Sequence, residues 1–177
     1  MRRIVTIAVA LYFTFVAIPL NILAQPTPVP GRDALERALL GARLPLEGGL
    51  AVSATEGTPI SAKYEIDDGG FQLSVYTVKS DAFSGDTFSE VFVDFNAGTV
   101  ARVEAITDGG DLAAAQSQKA AMAGAKRSLE AATASAVKAN AGYRAVSAMP
   151  GLDGSRAVAE IILVRGSDWK VVSEPLD

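Results

Sequence analysis

Two serine–lysine pairs stand three residues apart in this sequence, Ser135-Ala136-Val137-Lys138 and Ser167-Asp168-Trp169-Lys170. The S-x-x-K spacing puts a lysine one helical turn from a serine, where its amine can take the hydroxyl proton, as in penicillin-recognising serine enzymes. The S-D-N and K-T-G elements that support such chemistry do not occur, and the first pair falls in an alanine-rich stretch where serine and lysine suit a solvent-facing helix surface. A Ser/Lys hydrolase is thus the remotest of three functional readings. Carboxylates cluster at Asp67-Asp68, from Asp81 to Asp86 and from Asp108 to Asp111, and such oxygens could bind calcium. None follows the spacing that wraps ligands round one ion, and turns plus a helix cap account for them. A cation- or small-ligand-binding sensor is the second reading.

The chemistry that is missing narrows the field further. The 177 residues include no His and no Cys, which removes thiolate nucleophiles, disulfides, cysteine-ligated zinc and the commonest neutral-pH base. Neither G-x-x-x-x-G-K-[ST] nor G-x-G-x-x-G occurs. We therefore assign no catalytic, cofactor-binding or metal residue and expect no cofactor. The remaining candidates are aromatic: Phe83 in a polar loop, Phe92 on a strand face opposite Val91 and Val93, and Trp169, the single tryptophan. Packing explains such residues in general, whereas exposure would make them anchors for a partner. An open sheet edge could also accept an extended peptide.

These residues sit in a chain whose start reads as an export signal. Met1-Arg2-Arg3 precedes an apolar run from Ile4 to Ile18, and a cleavage position follows Ala24. Residues 1–24 are expected to be a signal peptide and the chain to be periplasmic or secreted. Ile22 is large for its place before the cut, and an uncleaved anchor is the competing reading, in which case alone membrane contact is expected. Residues 25–31, rich in proline, form a spacer. Beyond Arg2 and Arg3, 14 basic residues face 20 acidic ones, a net charge of −6, so nucleic acid is not an expected partner.

From Arg32 the pattern predicts a helix to Leu44, stopped by Pro45, and an irregular stretch to Gly57 in which Leu50-Ala51-Val52 forms a short strand. Alternating strands follow over 60–66, 71–79, 88–95 and 99–106, with turns at Asp67 to Gly70 and Asn96 to Gly98 and a polar loop over 80–86. Asp111 is expected to cap a helix over 112–126, and Ser128 a second one ending at Asn140 or Gly142. Strands return over 143–149, 157–164 and 169–173, with a turn at Pro150-Gly151. Helix, strands, helix, strands is an approximate internal duplication. It predicts an α+β chain of two tandem modules, 32–106 and 126–177, each a helix packed on an antiparallel sheet, joined by a helical connector over 107–125.

The stretch Val91-Phe92-Val93-Asp94-Phe95-Asn96-Ala97-Gly98-Thr99-Val100 resembles the paired-strand signature of the PepSY family: Val-Asp, a short turn, Gly and a returning Val. The helix at Ala34 to Ala42 and the hairpin from Tyr64 to Val78 come in that family's order. Leu129 to Ala139, Tyr143 to Val146, Ala157 to Val164 and Trp169 to Val172 resemble a looser second copy lacking the Val-Asp-turn-Gly element. The resemblance implies a non-enzymatic binding or regulatory protein whose partner is a protein, such as a peptidase that it restrains. This is the first of the three readings.

Overall fold

The computed structural model describes residues 32–177. The expected signal peptide and spacer lie outside the described residues. Among those residues no helix is long and apolar enough to cross a membrane.

Alternation of apolar and polar side chains produces seven strands: β1 (Thr58–Asp67), β2 (Gly70–Asp81), β3 (Gly85–Asp94), β4 (Thr99–Ile106), β5 (Arg144–Asp153), β6 (Arg156–Arg165) and β7 (Asp168–Pro175). Each pairs antiparallel with its neighbours in the order β4-β3-β2-β1-β5-β6-β7, which makes one continuous sheet. The expectation of two tandem helix-on-sheet modules is therefore wrong. The first strand of each meander, β1 and β5, pairs with the other at Ala62↔Ala148 and Lys63↔Ser147, and this seam fuses the two meanders. Each meander alone would leave one of these strands as an open edge with unpaired backbone groups, and pairing the two removes both edges at once.

Four helices cover the sheet: α1 (Arg32–Leu39), α2 (Leu46–Ser53), α3 (Gly109–Ala121) and α4 (Leu129–Ala139). Leu46 and Leu50 of α2, with Leu129, Ala132 and Ala136 of α4, pack with Ala62, Leu73, Val75, Val91, Ala148, Ile161 and Leu163 in the main core. Tyr76 and Val78 alternate with Val75 along β2 and so point the other way. With Ile60, Phe88 and Ala115 of α3 they build a smaller core on the opposite face.

Four local expectations give way. The first helix ends at Leu39, and the segment expected to hold a strand at Leu50 to Val52 is α2. Gly48 and Gly49 lower its intrinsic helix preference, yet they allow close approach: a Cβ on Gly49 would stand 2.6 Å from Cδ2 of the fully buried Leu73. Pro150-Gly151 lies inside β5, and the β5–β6 hairpin instead turns at Gly154, whose φ is 62°. Pro150 sits past the two-residue pairing with β1, where β6 is the neighbouring strand and a missing N–H is tolerated. Asp111 is not a cap; α3 begins at Gly109 after Asp108, and Asp111 falls in its first turn.

The close helix–sheet approach yields a prediction. Gly49→Ala gains about 1 kcal/mol of helix propensity but overpacks a core site, at a cost of about 1–3 kcal/mol. The denaturant midpoint should fall, and an unchanged or raised midpoint would mean that α2 stands further from β2.

Candidate functional site

The serine–lysine pairs do not form catalytic dyads. Ser135 lies half-buried on α4 with Lys138 exposed, and no hydrogen bond joins them. Ser167 is exposed in the β6–β7 turn, while the Lys170 ammonium donates to Asn140 Oδ1 at 2.5 Å and lies 3.9 Å from the centroid of the Tyr143 ring. That lysine ties the end of α4 to β7.

Part of each of the two later acidic clusters is bonded within the chain, through Asp81, Asp86 and Asp111. Among the described residues no three potential ligands gather as a metal site would require. Asp67 and Asp68 lie exposed at the β1–β2 turn. Asp86 accepts from Ser80 Oγ at 2.7 Å and from the Lys119 ammonium, and these bonds hold its carboxyl below the usual aspartate range. Lys119 thereby ties the turn end of the β2–β3 hairpin to α3.

A polar cluster that sequence reasoning missed lies beneath α3. It borders a cavity of about 160 Å³ lined in part by Lys63, Ser74, Tyr76 and Gln118. The Tyr76 hydroxyl donates to Asp111 Oδ1 at 2.8 Å, Ser61 Oγ to Gln118 Oε1 at 2.8 Å, and Ser74 Oγ to Glu90 Oε1 at 2.5 Å. Burial pushes the Tyr76 phenol well above its ordinary value, helped by Asp111. Burial likewise raises Glu90, against the opposing pull of the Ser74 bond and of Lys63. Every named hydroxyl has found a partner within the chain, so the cluster fastens α3 to the sheet. The period-2 pattern does place Ser61, Lys63, Ser74, Tyr76 and Glu90 on one face, but only the position of α3 makes that face partly buried.

A larger cavity, about 290 Å³, opens between α1 and the ends of β5 and β6, with Glu36, Leu40, Arg144, Val164 and Arg165 among its walls. Two of its three lining arginines, Arg144 and Arg165, are engaged, and Arg37 also lines it. Arg144 donates to Leu39 O at 2.7 Å and Leu44 O at 3.3 Å; Arg165 donates to Asp168 Oδ2 at 3.3 Å and lies over the Tyr143 ring. Trp169 belongs to the same joint: its indole N–H donates to Glu36 Oε1, and the Arg32 guanidinium lies 5.1 Å above its ring. The candidate tryptophan thus locks α1 onto β7. Phe92 is likewise covered, with the Arg102 guanidinium 3.6 Å from its ring centroid.

Phe83 is different: it is completely exposed. The expected seven-residue loop is a tight hairpin, with Asp81 paired to Gly85 across Ala82, Phe83 and Ser84. Asp81 Oδ1 accepts from the backbone N–H of Phe83 and of Ser84, each at 2.8 Å, and from Ser84 Oγ at 3.0 Å. These bonds hold the Asp81 carboxyl below its ordinary range. Gly85 supplies the positive φ, 80°, that closes the turn. The same device recurs at the β3–β4 turn. Asp94 Oδ1 accepts from the N–H of Asn96 and Ala97 at 2.8 and 2.9 Å, and Gly98 has φ 71°. D-x-x-x-G is the signal common to both, 81–85 and 94–98. The second turn also carries an aromatic, Phe95, but that ring packs on Phe71 at 4.9 Å and Tyr64 at 6.3 Å. The turn chemistry therefore needs no aromatic, and Phe83 has no packing task.

Comparison with protein-family models, with curated proteins and with solved structures found no match to this chain.

The polar cluster carries a pH prediction. Glu90 has a folded-state pKa above its ordinary 4.5, so its contribution to stability is complete below that value and is lost as pH rises through the raised one. Glu90→Gln keeps an acceptor for Ser74 and removes the buried charge. Its melting temperature should exceed that of the unsubstituted protein at neutral pH and converge with it in acid. An equal difference at both pH values would mean that the carboxyl is not desolvated.

Proposed function

We propose that this chain is an exported, non-enzymatic protein that binds another envelope protein, with Phe83 as the anchoring side chain. A peptidase is the partner class that the PepSY resemblance implies. The observation that carries the reading is one fully exposed aromatic, held on a turn by three bonds to Asp81 and spared any role in the core. Exposing a phenylalanine to water forgoes its burial energy, of the order of 2 kcal/mol, and the ring recovers this on entering a partner's pocket. A fixed turn reduces the ordering cost at the moment of binding. The β3–β4 hairpin, which carries the family resemblance, lies directly beside β2 in the sheet and braces this presentation. Lys170 of the second S-x-x-K pair is bonded to Asn140, and Asp86 and Asp111 are paired within the chain, which supports a binding role over chemistry by these groups.

Crosslinked capture from the native envelope, with quantitative mass spectrometry, tests the reading when the protein and its Phe83→Ala variant are used side by side. The variant should melt at the same temperature and lose a defined captured protein by about tenfold or more. Capture of the same proteins in the same amounts would remove Phe83 from the account, and release of the variant's α3–hairpin contact would show as a lowered melting temperature.

A further inference from the structure

The two free edges of the sheet are unlike. β7 is bonded near both ends, Trp169 by Glu36, Lys170 by Asn140 and Glu174 by Arg127, with Val171 exposed between them, and it ends in Pro175. β4 has neither proline nor glycine, and six of its eight residues are exposed. On the face shared with α3 it carries Arg102 and Glu104. On the other face Val103, 43% exposed, stands beside the fully buried Val91. Such an edge presents unpaired N–H and C=O groups along one side.

We propose that β4 is a self-association surface, where a second copy of this chain pairs antiparallel with Val103 on the two-fold axis. In an isologous contact residue i meets j and j meets i. In the Val103 register Arg102 of each copy faces Glu104 of the other, twice over, on one side of the joined sheet. The two valines meet on the other side. Within one chain Arg102 Nε already lies 3.0 Å from Glu104 Oε1, so both charges are in place on the same face and can exchange partners across the axis. Opposite charges directly across a strand pair are favourable and like charges are not, so this edge favours its own copy in this register over one slipped by two residues. Ala101, the extra residue at the irregularity between the Phe92 and Val93 pairings, limits the contact to the segment around Val103. The result is a modest interface and a concentration-dependent dimer. The inference is independent of the role of Phe83, which lies on the β2–β3 turn.

Charge reversal tests it in solution. The unsubstituted protein should show a monomer–dimer equilibrium by sedimentation velocity, and Arg102→Glu and Glu104→Arg should each shift it to monomer. Mixing the two variants should restore the dimer as a heterodimer, because every facing pair is again opposite in charge. Val103→Cys gives an independent readout, since the chain has no other cysteine. Two directly facing residues lie within disulfide reach, so mild oxidation should link V103C far faster than F83C, an equally solitary and fully exposed thiol. A monomer at every concentration, single variants that dimerise as well as the parent, or V103C linking no faster than F83C would each overturn the proposal.

Discussion

The whole arrangement rests on a contact of two residue pairs, Ala62↔Ala148 and Lys63↔Ser147, at the seam between β1 and β5. A ladder this short could not hold two meanders together on backbone hydrogen bonds alone, each of which contributes only about 1 kcal/mol net. Side chains reinforce it on both faces. On one, Ala62 and Ala148 are small and fully buried, and α2 and α4 meet above them through Leu46, Leu50, Ala132 and Ala136. On the other, Gln118 of α3 touches both strands, accepting from Ser61 of β1 and reaching Met149 Sδ of β5 at 3.7 Å. The chain that links the meanders crosses from one face to the other between α3 and α4, and Lys126 and Arg127 donate their backbone N–H to Leu176 O on the way. The C-terminal end of the sheet is therefore tied to the crossing.

A single stiff platform gives the exposed turn its meaning. The β2–β3 hairpin is held next to its turn by Ser80, Asp86 and Lys119, at the turn by Asp81, and as far as Val78 and Phe88 by β1 and β4. Two turns of the same D-x-x-x-G design spend their aromatics oppositely, Phe95 inward and Phe83 outward. That contrast is a better guide than exposure alone, because scattered apolar residues on a surface are ordinary. The other exposed aliphatics, such as Leu40 and Val171, lack an equivalent of the Asp81 clamp.

Much of the secondary structure was legible. Period-2 alternation located all seven strands, and Ser128, whose Oγ accepts from Ala131 N at 3.1 Å, marked the start of α4. What could not be read was how the strands assemble. A repeated order of elements looks the same whether each copy closes on itself or the copies join edge to edge. The choice depends on long-range pairing of Ala62 with Ala148, which periodicity does not encode. Helix α2 was hidden because its glycines serve tertiary approach rather than local preference, and Pro150 misled because the partner strand it would disrupt has already diverged. Of the three aromatics singled out, Phe83 stood apart through its polar neighbours. Nothing local could reveal that Glu36 and Arg102, distant or across a strand, would occupy Trp169 and Phe92.

The account's central claim is that the seven strands form one cooperative unit joined at the β1–β5 seam, and scanning calorimetry of the protein tests it most directly. One transition, with the calorimetric enthalpy equal to the van't Hoff enthalpy, is the predicted result. Two resolved transitions, or a calorimetric enthalpy about twice the van't Hoff value, would mean that the two meanders unfold independently and that the seam does not unite them.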